Sequence, residues 1–286
     1  MKRDKVRVLS VENRKGGVAK TTTAVNLAHG LARRLASNGG GRVLLIDLDP
    51  QGDAARQLGL QPDGQCVSYV LTGERKLSDM IMPTNRPGLE RPNLYVLPAS
   101  DNLRYAKERL LAQMATEAVV SRLHSRRGGE QSETSLLDLL NDRLGLALKY
   151  FDFLILDCPP TLDMLQEAVH NFCDGAVVPV KVDFHGTSAT GRHTDNILAD
   201  QSAGIDITIK AVVPTFVNAR HNLTVEMMLE LSRVYGKLVT KAVPNTVRVA
   251  EAPQYGRTIF EYQPDEIAVR AAEAYQDLVD RIYEGR

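Results

Sequence analysis

A strand, a glycine-rich loop and a helix follow one another near the start of the chain. The apolar run from Val6 to Val11 predicts the strand, and apolar residues at helical spacing from Ala24 to Leu35 predict a helix that reaches about Ser37. The loop between them, Asn13 to Thr23, contains two adjacent glycines. A phosphate-binding loop requires this order, so the sequence predicts a site for a phosphorylated ligand.

The residues of this loop have the chemistry that such a site needs. Backbone N–H groups around Gly16 and Gly17 can surround phosphate oxygens, and Lys20 can reach the β- and γ-phosphates of a nucleotide. The Thr21 hydroxyl can bind Mg²⁺. The standard pattern has two further glycines, but Arg14 and Ala19 stand at those positions.

Two further apolar runs end in aspartates. Val43 to Ile46 precedes Asp47 and Asp49, and Phe153 to Leu156 precedes Asp157. Continuous apolar runs are typical of central parallel strands, whose carboxyl ends form the ligand sites of open α/β sheets. A carboxylate there can orient an attacking water or accept its proton, and another can hold Mg²⁺ through water.

A second lysine in the loop makes the chain resemble the ParA/MinD ATPases, which carry a deviant Walker A loop. Lys15 to Thr22 resembles the family's Lys-Gly-Gly-x-x-Lys-Thr-Thr, and the residues that follow are similar to the ParA branch. Asp47 to Gln51 resembles its switch I segment, and Asp157 to Leu162 its Walker B and switch II segment. Val243 to Gly256 resembles a proline-containing segment near the family's C-terminus.

This resemblance implies a P-loop ATPase that converts ATP and water into ADP and phosphate, with Mg²⁺ and weak intrinsic turnover. It implies catalytic roles for Lys15, Lys20 and Asp49, and Mg²⁺ binding by Thr21, Asp49 and Asp157. In the family's scheme Lys15 crosses a dimer interface to the partner's phosphates. The nucleotide contacts implied by the resemblance are Lys15, Gly16, Gly17, Val18, Ala19, Lys20, Thr21, Thr22, Asn218 and Pro244.

Alternatives stay open at three positions: Asn218, Ala19 and Asp53. Asn218 and Pro244 correspond to the base side of the site, but a simple turn explains the asparagine equally well. Relatives have glycine at the position of Ala19, and we expect its methyl group to be tolerated if φ is negative. Relatives have asparagine at the position of Asp53, whose carboxylate can also cap the next helix.

The alternation of strands and helices predicts an α/β fold, a doubly wound and mostly parallel sheet flanked by helices. We expect one domain over residues 1–286, with no repeat or linker. Further strands are predicted at 94–97, 176–180, 207–213 and 238–242. Helices are predicted at 103–123, 136–148 and 268–283, with a polar surface loop over 121–135.

Charge and composition narrow the possible partners. The chain has 35 basic and 35 acidic residues, but the region from Lys210 to Arg257 has a basic surplus and the tail after it is acidic. The acidic tail argues against a MinD-like membrane helix, and no apolar run predicts a membrane span. Three cysteines without paired spacing argue against disulfides, structural zinc and the iron–sulfur cluster of a nitrogenase-type reductase. Non-specific DNA binding by ParA relatives suggests four candidate residues: Arg220, Lys237, Lys241 and Arg248.

The resulting hypothesis is an ATP-gated homodimer that positions DNA. The ATP form binds double-stranded DNA without sequence preference, and hydrolysis stimulated by a ParB-like partner releases it. We expect a cytoplasmic, nucleoid-associated protein. The alternatives are a MinD-like ATPase that cycles on a membrane and a ParA-like ATPase that positions a cargo other than DNA.

Overall fold

Seven strands form one sheet in the part of the chain that the structure describes. The computed structural model describes residues 8–125, 136–161, 165–182, 194, 197–202, 204–218, 222–262 and 265–285. The strands are β1 (Val8–Val11), β2 (Val43–Asp47), β3 (Met82–Pro83), β4 (Leu94–Leu97), β5 (Phe153–Asp157), β6 (Gly175–Lys181) and β7 (Ile209–Thr215). Their order is β3-β4-β2-β5-β1-β6-β7, and β3 with β4 forms an antiparallel pair among otherwise parallel neighbours. The predicted mostly parallel sheet is confirmed.

Helices connect these strands on both faces of the sheet. They are α1 (Lys20–Ser37), α2 (Asp53–Gln57), α3 (Val67–Leu71), α4 (Leu77–Met80), α5 (Asn102–Ser125), α6 (Leu139–Leu144), α7 (Gln166–Phe172), α8 (Asn222–Tyr235), α9 (Val247–Glu251) and α10 (Glu266–Glu284). Residues 197–202 are also helical. The helices predicted to end near Ser37, to span 103–123 and to close the chain are confirmed as α1, α5 and α10.

Each face of the sheet has its own apolar core. In β2, Val43 and Leu45 belong to one core and Leu44 and Ile46 to the other, because successive side chains of a strand point to opposite faces. The first core contains α1 and α10, and the second contains α3, α6 and α7. Burial on both faces explains why β2 and β5 are continuous apolar runs in the sequence.

Two expectations from the sequence are wrong in detail. Residues 238–242 do not form a strand. Thr240 N–H donates to the Val212 carbonyl and Val243 N–H to the Pro214 carbonyl, so a step of three residues in this segment faces a step of two residues on β7. The hydrogen-bond ladder is interrupted there. Pro214 has no N–H to donate in return. Instead of one helix over 136–148, 3-10 turns at Leu136–Asp138 and Gly145–Lys149 flank α6; a glycine at 145 weakens a continuous helix.

The edge of the sheet was not predicted, and one predicted loop is partly helical. Strand β3 could not be predicted, because a two-residue edge strand that ends in proline has no apolar alternation. Helix α5 continues to Ser125 and so includes the first residues of the loop predicted over 121–135; residues 126–135 lie outside the described residues. Among the described residues, no helix combines the length and apolar character needed to span a bilayer.

Candidate nucleotide-binding site

The glycine-rich loop lies at the carboxyl end of β1 and is pinned at several points. Asn13 donates from Nδ2 to the Pro179 carbonyl at 2.8 Å, and its Oδ1 accepts from Lys15 N–H at 3.0 Å. Lys20 is the first residue of α1, and its Nζ donates to the Lys15 carbonyl at 3.1 Å. The loop therefore closes on itself, with its lysine ammonium folded back across the glycines as a phosphate site requires.

Ala19 adopts a left-handed backbone conformation immediately before α1. Its φ is 67° and its ψ is 36°, and its carbonyl accepts from Thr23 N–H at 2.9 Å to open the helix. The condition under which its methyl group was expected to be tolerated, a negative φ, is therefore not met. The loop needs this turn to deliver Lys20 and Thr21 into the helix, and the alanine Cβ costs about 1 kcal/mol relative to glycine there.

Two aspartates occupy paired positions on neighbouring strands beneath the loop. Asp47 on β2 is in register with Asp157 on β5, and both are fully buried. Asp47 accepts from Asp49 N–H at 2.9 Å and from Ala54 N–H at 3.1 Å. Burial raises the pKa of Asp47 to about 7 even though these two N–H groups act in the opposite direction. Asp47 is thus a structural acceptor that shapes the turn after β2.

Asp157 lacks the partners that Asp47 has. Neither of its carboxylate oxygens has a hydrogen bond of good geometry within the described residues. Burial raises the pKa of Asp157 well above its usual range, and the charge of Asp47 adds to this, whereas the Thr21 hydroxyl and Lys20 lower it. A buried carboxylate with no backbone donor, beside a threonine hydroxyl, suits a hard cation, so Asp157 and Thr21 fit a Mg²⁺ site.

Lys20 lies in the field of two carboxylates. Burial lowers the pKa of its ammonium, and the charges of Asp157 and Asp49 oppose that effect. Asp49 is half-buried and caps the turn before α2: its Oδ1 accepts from Gln51 N–H at 3.0 Å, and its carbonyl accepts from Gly52 N–H at 3.0 Å. The structure therefore groups four predicted site residues at the carboxyl ends of the central strands: Lys20, Thr21, Asp49 and Asp157.

The turn that holds Asp49 depends on a glycine. Gly52 has a φ of 65°, and a Cβ there would lie 2.5 Å from the Ala99 carbonyl oxygen. Any side chain at this position would push the start of α2 away from the sheet. The predicted capping residue, Asp53, begins α2 as an acidic residue of its first turn and pairs with Arg56 at 2.8 Å.

A cavity of about 80 Å³ lies beside the start of α1. Of the residues predicted to contact the nucleotide, Ala19, Thr22 and Pro244 line it. Asn218 does not line it, but Val217 next to it forms a bridge with Pro244. Sequence analysis did not identify the other lining residues, which come from four segments of the chain: Thr215, Phe216, Val243, Thr246, Val249, Ala250 and Tyr275.

Phe216 gives this cavity an unusual wall. It has a φ of 55°, its ring is 39% exposed, and the Lys181 ammonium lies 5.8 Å from the ring centroid. An aromatic residue in this conformation is strained, so the surrounding fold must hold it there. The sequence carried no signal for this, because Phe216 is a single apolar residue in a loop.

The four DNA-binding candidates differ in their surroundings. Lys237 and Lys241 are exposed. Arg248 donates from Nε to Asp265 at 2.7 Å and from Nη1 to Glu251 at 2.7 Å, so two carboxylates offset its charge. Arg220 lies outside the described residues. Cys66, Cys158 and Cys173 are all buried, and none of them forms a disulfide.

A buried arginine that sequence analysis missed ties the C-terminal motif to the site. Arg91 is 1% exposed, and it forms two hydrogen bonds to the Glu261 carboxylate at 2.8 and 2.9 Å. It also donates to the carbonyls of Leu58 at 2.9 Å and Gly256 at 2.5 Å. Arg91 therefore joins the end of α2, which follows Asp49, to the motif that contributes Pro244.

Comparison with known proteins agrees with this geometry. A family model described as an AAA domain matches residues 6–198. The sporulation initiation inhibitor protein Soj of Bacillus subtilis is 31% identical over 280 residues, covering 96% of this chain and 98% of that protein. The chromosome-partitioning ATPase Soj of Thermus thermophilus is 30% identical over 285 residues, 99% of this chain and 97% of that protein.

A solved structure adds a ligand-bound example. The crystal structure of cobyrinic acid a,c-diamide synthase from Mycobacterium smegmatis, with a bound ATP analogue and magnesium, is 26% identical to this chain. It superposes with a TM-score of 0.71 and covers 98% of this chain and 97% of its own. The similarity in both sequence and structure extends over nearly the full length of each protein.

Proposed function

The chain belongs to the Soj/ParA family of chromosome-partitioning ATPases, and on that premise we propose that it hydrolyses ATP with Mg²⁺ to drive a cycle of dimerisation and DNA binding. The observation that best supports the ATPase is the orphaned Asp157 carboxylate beside Thr21 and Lys20. That arrangement is unfavourable until a cation neutralises it.

Each residue of the site has a part in this scheme. The backbone N–H groups from Gly16 to Lys20 hold the phosphates, and the Lys20 ammonium balances their charge. Thr21 and Asp157 would hold the Mg²⁺, which would supply positive charge to neutralise the charge that develops on the phosphate. Pro244 and the other walls of the 80 Å³ cavity bind the base, and Asn218, next to the Val217 that bridges to Pro244, is a further proposed contact.

Asp49 orients the water that attacks the γ-phosphate. Its backbone is fixed by the turn at Gly52, and the negative charge of Asp49 reaches Lys20. A carboxylate held rigidly near the phosphate can position a water and accept its proton. Loss of the γ-phosphate then releases the turns that carry Asp49 and Asp157, as in other nucleotide switches.

Lys15 supplies the contact between two subunits. Its backbone is held on both sides, by Asn13 through the N–H and by Lys20 through the carbonyl. A rigid backbone suits a lysine that must reach the phosphates of a second copy of the chain and stabilise the transition state in trans. ATP thereby joins two copies into a homodimer.

The ATP dimer binds double-stranded DNA through exposed basic residues, and a ParB-like partner stimulates hydrolysis. Lys237 and Lys241 are the best supported contacts because both are exposed; Arg220 and Arg248 complete the proposed set. Phosphate neutralisation by such residues needs no base contact. The proposed location is the cytoplasm, on the nucleoid.

A gel shift on duplex DNA of arbitrary sequence tests this function. The protein is mixed with DNA and ATP, ADP or no nucleotide, at two salt concentrations. We expect retardation with ATP alone and weaker retardation at higher salt, because released counterions drive the binding. Equal binding with ADP, or none at low salt, would refute the ATP-gated DNA cycle.

A further inference from the structure

A buried histidine lies between two carboxylates behind the phosphate loop. His170 on α7 and the Glu12 side chain have no exposed surface, and Asp200 is 19% exposed. His170 Nε2 lies 3.0 and 3.1 Å from the two oxygens of Glu12, and its Nδ1 lies 2.5 Å from Oδ2 of Asp200. The nucleotide site described above uses none of these three groups.

With both carboxylates ionised, the two contacts need a doubly protonated ring. Ionised carboxylates only accept hydrogen bonds, and a neutral imidazole has one N–H for the two carboxylates. Imidazolium has two N–H groups and satisfies both. Burial lowers the pKa of His170, but hydrogen bonds and charge from Glu12 and Asp200 outweigh it, and the pKa lies above its ordinary value.

The neighbouring titratable groups do not compete for this proton. Cys158 lies close to Glu12, and burial together with the Glu12 charge raises the pKa of its thiol, which stays neutral. Cys173 lies near Cys158 and is also buried. Asp138, from the 3-10 turn packed against α7, accepts a hydrogen bond from Asn171.

The cluster connects the two halves of the nucleotide site. Glu12 directly precedes Asn13, whose side chain holds the Lys15 N–H and the Pro179 carbonyl. Helix α7 follows the segment that begins with Asp157. A shift of His170 relative to Glu12 therefore changes the position of the phosphate loop relative to the segment after the second acidic strand.

We propose that His170 is a positioning residue: its ion pairs with Glu12 and Asp200 hold the phosphate loop and the helix after Asp157 in the relative position that ATP hydrolysis requires. This inference rests on the proposed ATPase function. It predicts a pH dependence with a definite sign, because a histidine with a raised pKa in the folded state stabilises fully at low pH. That contribution is lost as pH rises through the folded pKa.

Two variants and one matched control test the proposal kinetically. His170→Gln removes the charge, and Asp200→Asn, at the partly exposed end, removes one ion pair with less risk to folding. The control His29→Gln alters another buried histidine, 4% exposed, whose pKa is lowered to about 4 and which is bonded to Thr258. We expect kcat to fall about tenfold in both test variants, with KM for ATP within about twofold, and the control to match wild type.

The pH profile separates positioning from simple destabilisation. In wild type we expect kcat to decline on the alkaline side as His170 loses its proton, and this limb to disappear in His170→Gln. A folded His170→Gln protein with wild-type kcat and an unchanged alkaline limb would overturn the proposal. If the wild-type protein hydrolyses no ATP at all, the proposed function fails, and the ring must be examined directly.

Nuclear magnetic resonance of the histidine rings provides that examination and needs no turnover. The His170 signals are assigned by their loss in His170→Gln, or by their shift in Asp200→Asn if the first variant does not fold. We expect both ring nitrogens to carry protons at pH 7 and the titration to move when an ATP analogue and Mg²⁺ are added. A neutral single tautomer at pH 7, or a titration indifferent to the analogue, would contradict the proposal.

Discussion

Asp47 and Asp157 lie side by side on β2 and β5, fully buried, and the two carboxylates differ in their partners. Two backbone N–H groups satisfy Asp47, whereas Asp157 has no such donor among the described residues. Asp157 is therefore a buried carboxylate that costs stability unless a positive charge neutralises it. Such a costly buried group is typical of binding sites, where the surrounding fold holds it in place.

Asp157→Asn should therefore stabilise the protein and abolish its activity. The amide removes a carboxyl group whose ionisation is disfavoured by burial and by Asp47, so we expect about 1–2 kcal/mol of added stability without nucleotide. Mg²⁺-dependent ATP hydrolysis should fall at least about 100-fold, because the cation loses its anionic holder. Thermal unfolding and phosphate release measure the two effects. The control Asp63→Asn, at an exposed loop residue, should change neither; a less stable Asp157→Asn would contradict the account.

Ala19→Gly should stabilise the loop. Glycine adopts a φ of 67° without the steric penalty of a Cβ, and the gain exceeds the extra chain entropy that glycine loses, giving about 0.5–1 kcal/mol. Urea unfolding measures this. The control Ala36→Gly, at an exposed position of α1, the helix that follows Ala19, should instead lower the free energy of unfolding by about 0.5–1 kcal/mol. Loss of stability in both variants would show that the left-handed turn is not strained.

Arg91 should be among the most sensitive structural positions. Arg91→Ala leaves the Glu261 carboxylate buried without its partner, and we expect a loss of about 3–5 kcal/mol in the free energy of unfolding. Arg86→Ala is the matched control: Arg86 bonds the carbonyls of Gly59 and Tyr255 but no carboxylate in the described contacts, and should cost less. Equal losses in the two variants would argue against a special role for the ion pair.

The ion pair between Arg91 and Glu261 should make the free energy of unfolding fall at low pH. Burial raises the pKa of Glu261, but Arg91 and the other donors outweigh it and the net pKa is lowered. A carboxylate with a lowered folded pKa stabilises above its unfolded pKa, and the effect is lost as pH falls through the folded value. We expect wild type to lose more stability than Glu261→Gln between pH 6 and pH 3.5 in urea unfolding. Parallel curves would exclude Glu261 as the source.

The candidate DNA-binding residues should differ in their effect on DNA binding, because their surroundings differ. Lys237→Gln with Lys241→Gln removes two exposed charges, so the salt slope of DNA binding should fall by about 2 while ATP affinity stays unchanged. Arg248→Gln should change the slope little, because Glu251 and Asp265 already offset its charge. Fluorescence anisotropy on labelled duplex at several salt concentrations measures both. A larger effect from Arg248 than from the lysine pair would reverse the assignment.

Local signals in the sequence predicted the strands and the loop that carry the candidate site residues. The strand, loop and helix around Lys20 are contiguous, and an apolar run ending in Asp157 signals a buried strand with an acid at its carboxyl end. The relations that were missed join distant parts of the chain. Glu12 contacts His170 and Arg91 contacts Glu261, although each pair is far apart in the sequence. No local sequence pattern indicates either contact.

Backbone details also escaped prediction. The φ of Ala19 follows from how the loop must enter α1, and residue preferences alone argued against it. The segment over 238–242 has strand-like composition, but the missing N–H of Pro214 on the facing strand interrupts the pairing. Such outcomes depend on the facing strand and not on the segment itself.

The most direct test of the central claim, a two-subunit ATP switch, is the mass of the protein in solution with ATP and Mg²⁺. Light scattering should give the monomer mass of 31.5 kDa with ADP and twice that mass with ATP. Lys15→Ala should bind ATP yet keep the monomer mass, and Arg14→Ala, at the exposed neighbouring position, should dimerise like wild type. An ATP-dependent dimer of Lys15→Ala, or a wild-type monomer in ATP, would contradict the account.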